Sequence, residues 1–324
     1  MNQAISCIGQ ASPPRLQWGS FFLLFIFWAF TMALASFRTL RVPGLVLALA
    51  AFAGSGAMAQ LAPTAAGPAA PVGEIKGTAL VHTAESARGV MAGAQVALPA
   101  SVTGGAPYLG PLRGAPAQAK ARVPVVVFMH GSSGLGLKAI GEWQQWLASL
   151  GVASIAPDSF ALPDRLTYKS PIEKATYEKI HALRLSEVTL AVQALPSLAW
   201  ADTSRLVLAG TSEGAPAVAR YTGGEFAGRI LYSWSCENNY FVEQHRTAMP
   251  GDRPVLNVMS STDVFFSPSN AWLGNAAAKG HCGDALAANK QASVVLIPGA
   301  PHTLLMLPPA RHATEGFVRD FLKP

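Results

Sequence analysis

The sequence predicts an α/β protein whose central sheet is mostly parallel and covered by helices on both faces, and three observations carry this. From residue 123 onward, short apolar runs alternate with longer helical patterns, the order from which parallel sheets are built. One of those runs, Arg205-Leu206-Val207-Leu208-Ala209, passes straight into Gly210-Thr211-Ser212-Glu213-Gly214 and then into a small-residue helix start, Ala215-Pro216-Ala217-Val218-Ala219. Further on, Asp263 and His302 each follow the end of a strand-like run, and in open α/β sheets that edge is where ligands bind.

Taken in chain order, residues 1–59 read as a leader. Phe21 to Ala35 is apolar apart from Thr31, and Val42 to Ala53 forms a second apolar stretch; both are shorter than the roughly 20 residues that span a bilayer. From Met32, basic Arg38 and Arg41, the apolar run Val42–Ala53 and the small-residue site Ala57-Met58-Ala59 form the pattern of a secretory signal peptide over 32–59. Residues 1–31 then read as an over-long start, and the expected location is periplasmic or secreted. An uncleaved leader, anchoring the chain to a membrane, is the alternative. Residues 60–72, rich in Ala and Pro, read as a disordered linker, and 73–324 as one domain.

Within that domain, Glu74 to Thr83 and Gly93 to Leu98 suggest early antiparallel strands, and Ala100 to Ala121 a Gly/Pro-rich connection. Strand 123–129, helix 137–150 with a Trp143/Trp146/Leu147/Leu150 face, strand 153–156, helix 172–195 and strand 205–209 follow. Strands 229–234, 254–260 and 293–297 complete the sheet, and an amphipathic helix from Ala310 to Leu322 closes the chain. The irregular stretch Asp158 to Pro171, with Phe160, Leu162, Leu166 and Tyr168, is expected to contribute to a substrate wall.

The pentapeptide 210–214 has the form G-x-S-x-G, in which glycines let a serine occupy a cramped strand-to-helix turn and present its hydroxyl at the top of the sheet. A serine needs a histidine to take its proton and an acid to orient that histidine. Asp263 and His302 are the candidates because both lie just past strands. Asp252 precedes its strand, Asp284 lies in a glycine-rich loop, His281 falls before the last strand and His312 within the closing helix. Backbone amides are needed for the developing oxyanion. Strand 123–129 ends in His130-Gly131-Ser132-Ser133-Gly134, so the amides of Ser132 and Glu213 are the expected donors, with His130 bracing the loop.

Charge and cysteine usage narrow the setting. The net charge of +6 owes half to Arg15, Arg38 and Arg41; without residues 1–59, 21 basic side chains face 18 acidic ones, a net +3. That gives no support to nucleic-acid binding. No metal-ligand spacing, Walker loop or dinucleotide fingerprint occurs, so no cofactor is expected, and the domain is expected to be a monomer. Of three cysteines, Cys7 lies in the leader, leaving Cys236 and Cys282, an even pair expected to form a disulfide in an oxidising compartment.

With these residues in place the chain resembles the α/β-hydrolase superfamily, and within it is similar to the dienelactone hydrolase-like family. The resemblance covers roughly 121–321. It rests on Val127-Phe128-Met129-His130-Gly131-Ser132-Ser133-Gly134, Ala156-Pro157-Asp158-Ser159-Phe160, Gly210 to Gly214, Asp263 and Pro298-Gly299-Ala300-Pro301-His302. The spacings, 51 residues from Ser212 to Asp263 and 39 from Asp263 to His302, leave no room for a large insertion. Dienelactone hydrolases proper carry a cysteine nucleophile where this chain has Ser212, so the resemblance implies an α/β-hydrolase fold and a serine esterase acting on small carboxylic esters or lactones. A peptidase or polyester depolymerase on the same triad, and a non-catalytic binding protein of the same fold, are the alternatives.

Overall fold

The structure, a computed structural model, describes residues 69–321. The expected leader 1–59, with the expected signal peptide 32–59, and most of the expected linker 60–72 lie outside the described residues. The described chain forms ten strands and six α-helices: β1 (Glu74–Lys76), α1 (Ala84–Ala92), β2 (Gln95–Leu98), α2 (Ala100–Thr103), β3 (Tyr108–Pro111), β4 (Val123–Met129), α3 (Lys138–Ser149), β5 (Ala153–Ala156), β6 (Thr167–Lys169), α4 (Lys174–Ala194), β7 (Ala201–Thr211), α5 (Ala215–Arg220), β8 (Gly228–Tyr232), β9 (Val255–Ser260), β10 (Ala292–Ile297) and α6 (Pro308–Phe321).

Eight strands form one sheet in the order β10-β9-β8-β7-β4-β5-β2-β3; β1 and β6 pair apart from it as an antiparallel ribbon. The pairs from β10 across to β5 are parallel, and β2 runs antiparallel to both β5 and β3. All seven residues of β4 are buried, as expected of a central parallel strand covered on both faces. Because side chains alternate along a strand, Val125, Val127 and Met129 pack with Leu206 and Leu208 under α4 and α5. Val126 and Phe128 join Val207 and Ala209 under α3 and α6, against Ile140, Trp143, Leu147, Phe317 and Val318. The two-faced coverage predicted from the sequence is therefore present.

The amino-terminal part differs from expectation. Only Glu74–Lys76 of the segment 74–83 is a strand; Thr83 instead starts a helix, its hydroxyl accepting from the Ser86 amide while the Ser86 hydroxyl accepts from the Thr83 amide. This reciprocal cap uses serine where Glu or Gln usually stands, so the sequence signal was faint. The Gly/Pro-rich connection 100–121 contains α2 and the edge strand β3, where Pro111 is tolerated because edge strands need fewer ladder donors. The stretch 158–171 is not wholly irregular, since Thr167–Lys169 pairs with β1. Among the described residues no helix is long and apolar enough to cross a membrane.

Candidate active site

Strand β7 delivers Ser212 to the carboxyl edge of the sheet, and the turn there is sterically exacting. Ser212 has φ 52°, a left-handed conformation that costs a non-glycine residue roughly 1–3 kcal/mol and persists only where surroundings impose it. Those surroundings are close: a β-carbon on Gly210 would lie 2.7 Å from Val218 Cγ2 and 2.9 Å from the Gly214 carbonyl oxygen, and one on Gly214 would lie 2.2 Å from the carbonyl oxygen of Met129. Gly131 is less tightly placed but still close, its virtual β-carbon 3.3 Å from Ser212 Cβ. The loop after β4 thus lies directly against the serine.

Asp263 and His302 meet at this point from the ends of β9 and β10. Asp263 is fully buried, and its Oδ1 accepts from the amides of Phe265 and Phe266 at 2.9 and 3.0 Å. The carboxylate is thereby held with Oδ2 turned to His302 Nδ1, 2.7 Å away. His302 Nε2 lies 2.9 Å from Ser212 Oγ. A carboxylate acceptor fixes the proton on Nδ1, which leaves the Nε2 lone pair to accept the serine hydroxyl proton. The Ser233 hydroxyl donates to the carbonyl of His302 at 2.6 Å, and the Phe265 ring stands edge-on to the imidazole at 4.7 Å. Ser260 Oγ donates to the Ala300 carbonyl at 2.6 Å, tying the two loops together.

A cleft of about 340 Å³ opens over these groups. Gly131, Ser132 and Ser133 form its floor beside Ser212, while Tyr168, Tyr240, Phe241, Phe265 and Phe266 wall it. Of the apolar residues expected in the 158–171 wall, Tyr168 lines the cleft, whereas Leu162 and Leu166 are buried in the protein and Phe160 sits half-exposed over Gly134. Desolvation, and then the nearby Glu213 carboxylate, pushes the Tyr168 phenol well above its ordinary range.

Sequence reasoning missed what lies behind the serine. Arg165, Arg184, Glu187 and Glu213 are all buried. Arg165 Nη2 meets Glu213 Oε1 at 2.6 Å, Arg184 Nη1 pairs with Glu187 Oε2 at 2.7 Å, and Arg184 Nε lies 3.6 Å from Glu213 Oε1. His82 and the Ser159 hydroxyl complete Glu187 at 3.1 and 2.6 Å. Arg184 Nη2 also donates to the His130 carbonyl at 2.8 Å. Burial, and then the Arg184 charge, depress the His130 imidazole well below its ordinary range. It is neutral, with Nδ1 donating to the Gly131 carbonyl at 2.7 Å and Nε2 accepting from the Ser159 amide at 3.2 Å. His130 therefore braces its loop. The one available signal was Arg184 and Glu187 at i,i+3 in a helix of mixed polarity, a spacing that ordinarily marks a solvated face.

Cys236 and Cys282 form a disulfide with α-carbons 4.7 Å apart. Beside it, the buried Asn257 side chain donates to the Leu231 and Trp234 carbonyls and accepts from the Cys282 amide, which stitches the segment after β9 to the end of β8. Among the described residues, no group of three or more His, Cys, Asp or Glu stands ready to hold a metal ion.

One antiparallel strand near an edge of an otherwise parallel sheet, a serine turn after β7, and the acid and histidine following β9 and β10 together decide the architecture. The chain has the α/β-hydrolase fold. No protein-family model matches the sequence, and no curated protein matches it. Solved structures similar to it include dienelactone hydrolases and esterases, together with an isopeptidase, all at low identity. A Klebsiella pneumoniae protein assigned as a dienelactone hydrolase is 17% identical with a TM-score of 0.45, over 64% of this chain and 89% of that one. Est1E from Butyrivibrio proteoclasticus is 17% identical with a TM-score of 0.42, over 71% and 94%. The dienelactone hydrolase of Anabaena variabilis is 17% identical with a TM-score of 0.41, over 62% and 85%.

Proposed function

We propose that this protein is an exported serine hydrolase that cleaves carboxylic esters or lactones through an acyl-enzyme intermediate. The observation that carries the reading is the relay Asp263–His302–Ser212, with contacts of 2.7 and 2.9 Å, at the floor of an aromatic cleft. In this mechanism Ser212 Oγ attacks the acyl carbon as its proton passes to His302 Nε2. Asp263 keeps the imidazole in the required tautomer and stabilises the imidazolium. The amides of Ser132 and Glu213 receive the oxyanion. Collapse expels the alcohol, which takes the proton from His302, and water activated by the same imidazole releases the acid. No cofactor enters these steps, and the enzyme acts as a monomer on a small-molecule ester or lactone.

Turnover of p-nitrophenyl esters of increasing acyl length, with covalent labelling by an organophosphonate, tests the proposal. Ser212→Ala is expected to lower kcat by several orders of magnitude with the fold intact, and to abolish labelling. Full activity in that variant would remove Ser212 from the mechanism.

A further inference from the structure

Buried ion pairs are weak contributors to stability, because the desolvation of each charge offsets most of the attraction. The charge cluster behind Ser212 therefore calls for another account, and its connections supply one. Three members, Glu213, Arg165 and Arg184, tie it to segments that border the nucleophile or its cleft. Glu213, the residue directly after Ser212, sends its carboxylate into the cluster to meet Arg165 at 2.6 Å and Arg184 at 3.6 Å. The same Arg184 guanidinium holds the His130 carbonyl at 2.8 Å, at the root of the loop carrying Ser132. Arg165 also bonds Ser159 Oγ at 2.7 Å and the Leu166 carbonyl at 3.0 Å, on the segment that leads into Tyr168 of the cleft wall.

We propose that Arg165 and Arg184 are positioning residues that lock the Glu213 turn and the 130–134 loop into one geometry around Ser212. The proposal rests on the serine-hydrolase reading above. The two guanidinium groups balance the two carboxylates, so the cluster is neutral overall while each charge fixes the direction of the next. Arginine suits this task because its planar fork engages several acceptors at once, which the single ammonium of lysine cannot do. Both turns carry amides assigned to the oxyanion, which exists only on the reaction path. Loosening them therefore lowers kcat and leaves KM nearly unchanged.

The test compares Glu213→Gln, Arg165→Lys and Arg184→Lys with wild type and Ser212→Ala, by steady-state kinetics on p-nitrophenyl butyrate, organophosphonate labelling rate and circular dichroism. The lysine variants preserve the charge balance and cover the case in which Glu213→Gln fails to fold. Expected in folded variants is a kcat lowered about tenfold or more with KM within about twofold, and a labelling rate that falls in parallel. A kcat within about twofold of wild type in a folded variant overturns the proposal, since a merely structural role lowers melting temperature alone. So does loss of folding in all three variants, which would make the cluster a stability element. Loss of activity in Ser212→Ala alongside unaltered cluster variants refutes this proposal only. A wild-type protein with no esterase activity and no labelled serine refutes the underlying reading as well.

Discussion

At the scale of single residues, the site depends on what is missing as much as on what is present. Ser212 keeps a left-handed φ of 52° because the backbone on either side is packed to contact. Gly214 is the most constrained neighbour, its virtual β-carbon 2.2 Å from the Met129 carbonyl oxygen. That oxygen belongs to the buried central strand and cannot retreat. Gly214→Ala is accordingly expected to cost about 1–3 kcal/mol in urea unfolding and to impair turnover by displacing Ser212. Gly251→Ala, where an added β-carbon meets nothing within 4 Å, serves as the control and should be neutral in both. Equal effects of the two substitutions would sink this account. The sequence made the elbow legible because its glycines answer a local steric demand; Glu213 was read only for its amide, since nothing local shows where its carboxylate goes.

At the scale of elements, α4 is held to α5 and to the segment near Glu243 by one carboxylate. Glu178 Oε2 meets Arg220 Nη1 at 2.6 Å, and Oε1 accepts from Arg220 Nη2 at 3.1 Å and from the Glu243 amide at 3.0 Å. Burial opposes ionisation of Glu178, but its interactions with His181, the Arg220 guanidinium and the Glu243 amide outweigh burial and hold it far below the ordinary 4.5. A folded-state value below the unfolded one means that the stabilisation is fully present above about 4.5 and is lost as pH falls beneath it. Glu178→Gln should therefore melt lower than wild type at pH 7, and the gap should narrow as pH is taken below about 4.5. Melting curves across that range decide it; a gap independent of pH would show that the charge is not what matters. Elements whose periodicity was strong, such as β4 and α3, were legible. Helix α1 and strand β3 were not, because one has an unusual cap and the other is short and bounded by proline.

At the scale of the whole molecule, the segment between Asp263 and β10 is an excursion without regular secondary structure, and it supplies both the proposed triad acid, Asp263, and, through Phe265 and Phe266, part of the cleft wall. Its far end is tethered by Cys236–Cys282, which closes a loop of 46 residues. Chain entropy assigns such a closure roughly 4 kcal/mol as an upper estimate. Reduction, or Cys282→Ser, should lower the melting temperature, and non-reducing peptide mapping of the oxidised protein should recover the linked pair. Unchanged melting after full reduction would refute the tether. A disulfide also suits an oxidising compartment, in keeping with the proposed export. The exported protein should then begin at Gln60, which intact-mass measurement checks; a membrane-bound product retaining Phe21 to Ala35 would instead support the anchor.

What the sequence by itself determined were the features governed by neighbours along the chain. Apolar runs of strand length, the glycines of a tight turn and the placement of Asp263 and His302 after strands were enough to predict a mostly parallel sheet and to nominate the three residues that meet within 2.9 Å. Only the tertiary structure decided what stands behind them. His82, Ser159, Arg165, Arg184, Glu187 and Glu213 come from four separate segments, and polar side chains in a helix or loop read as solvated until the crossovers bury them together. A desolvated charge must find its partner, and which partner it finds depends on distances in space that the spacing of residues along the chain does not encode.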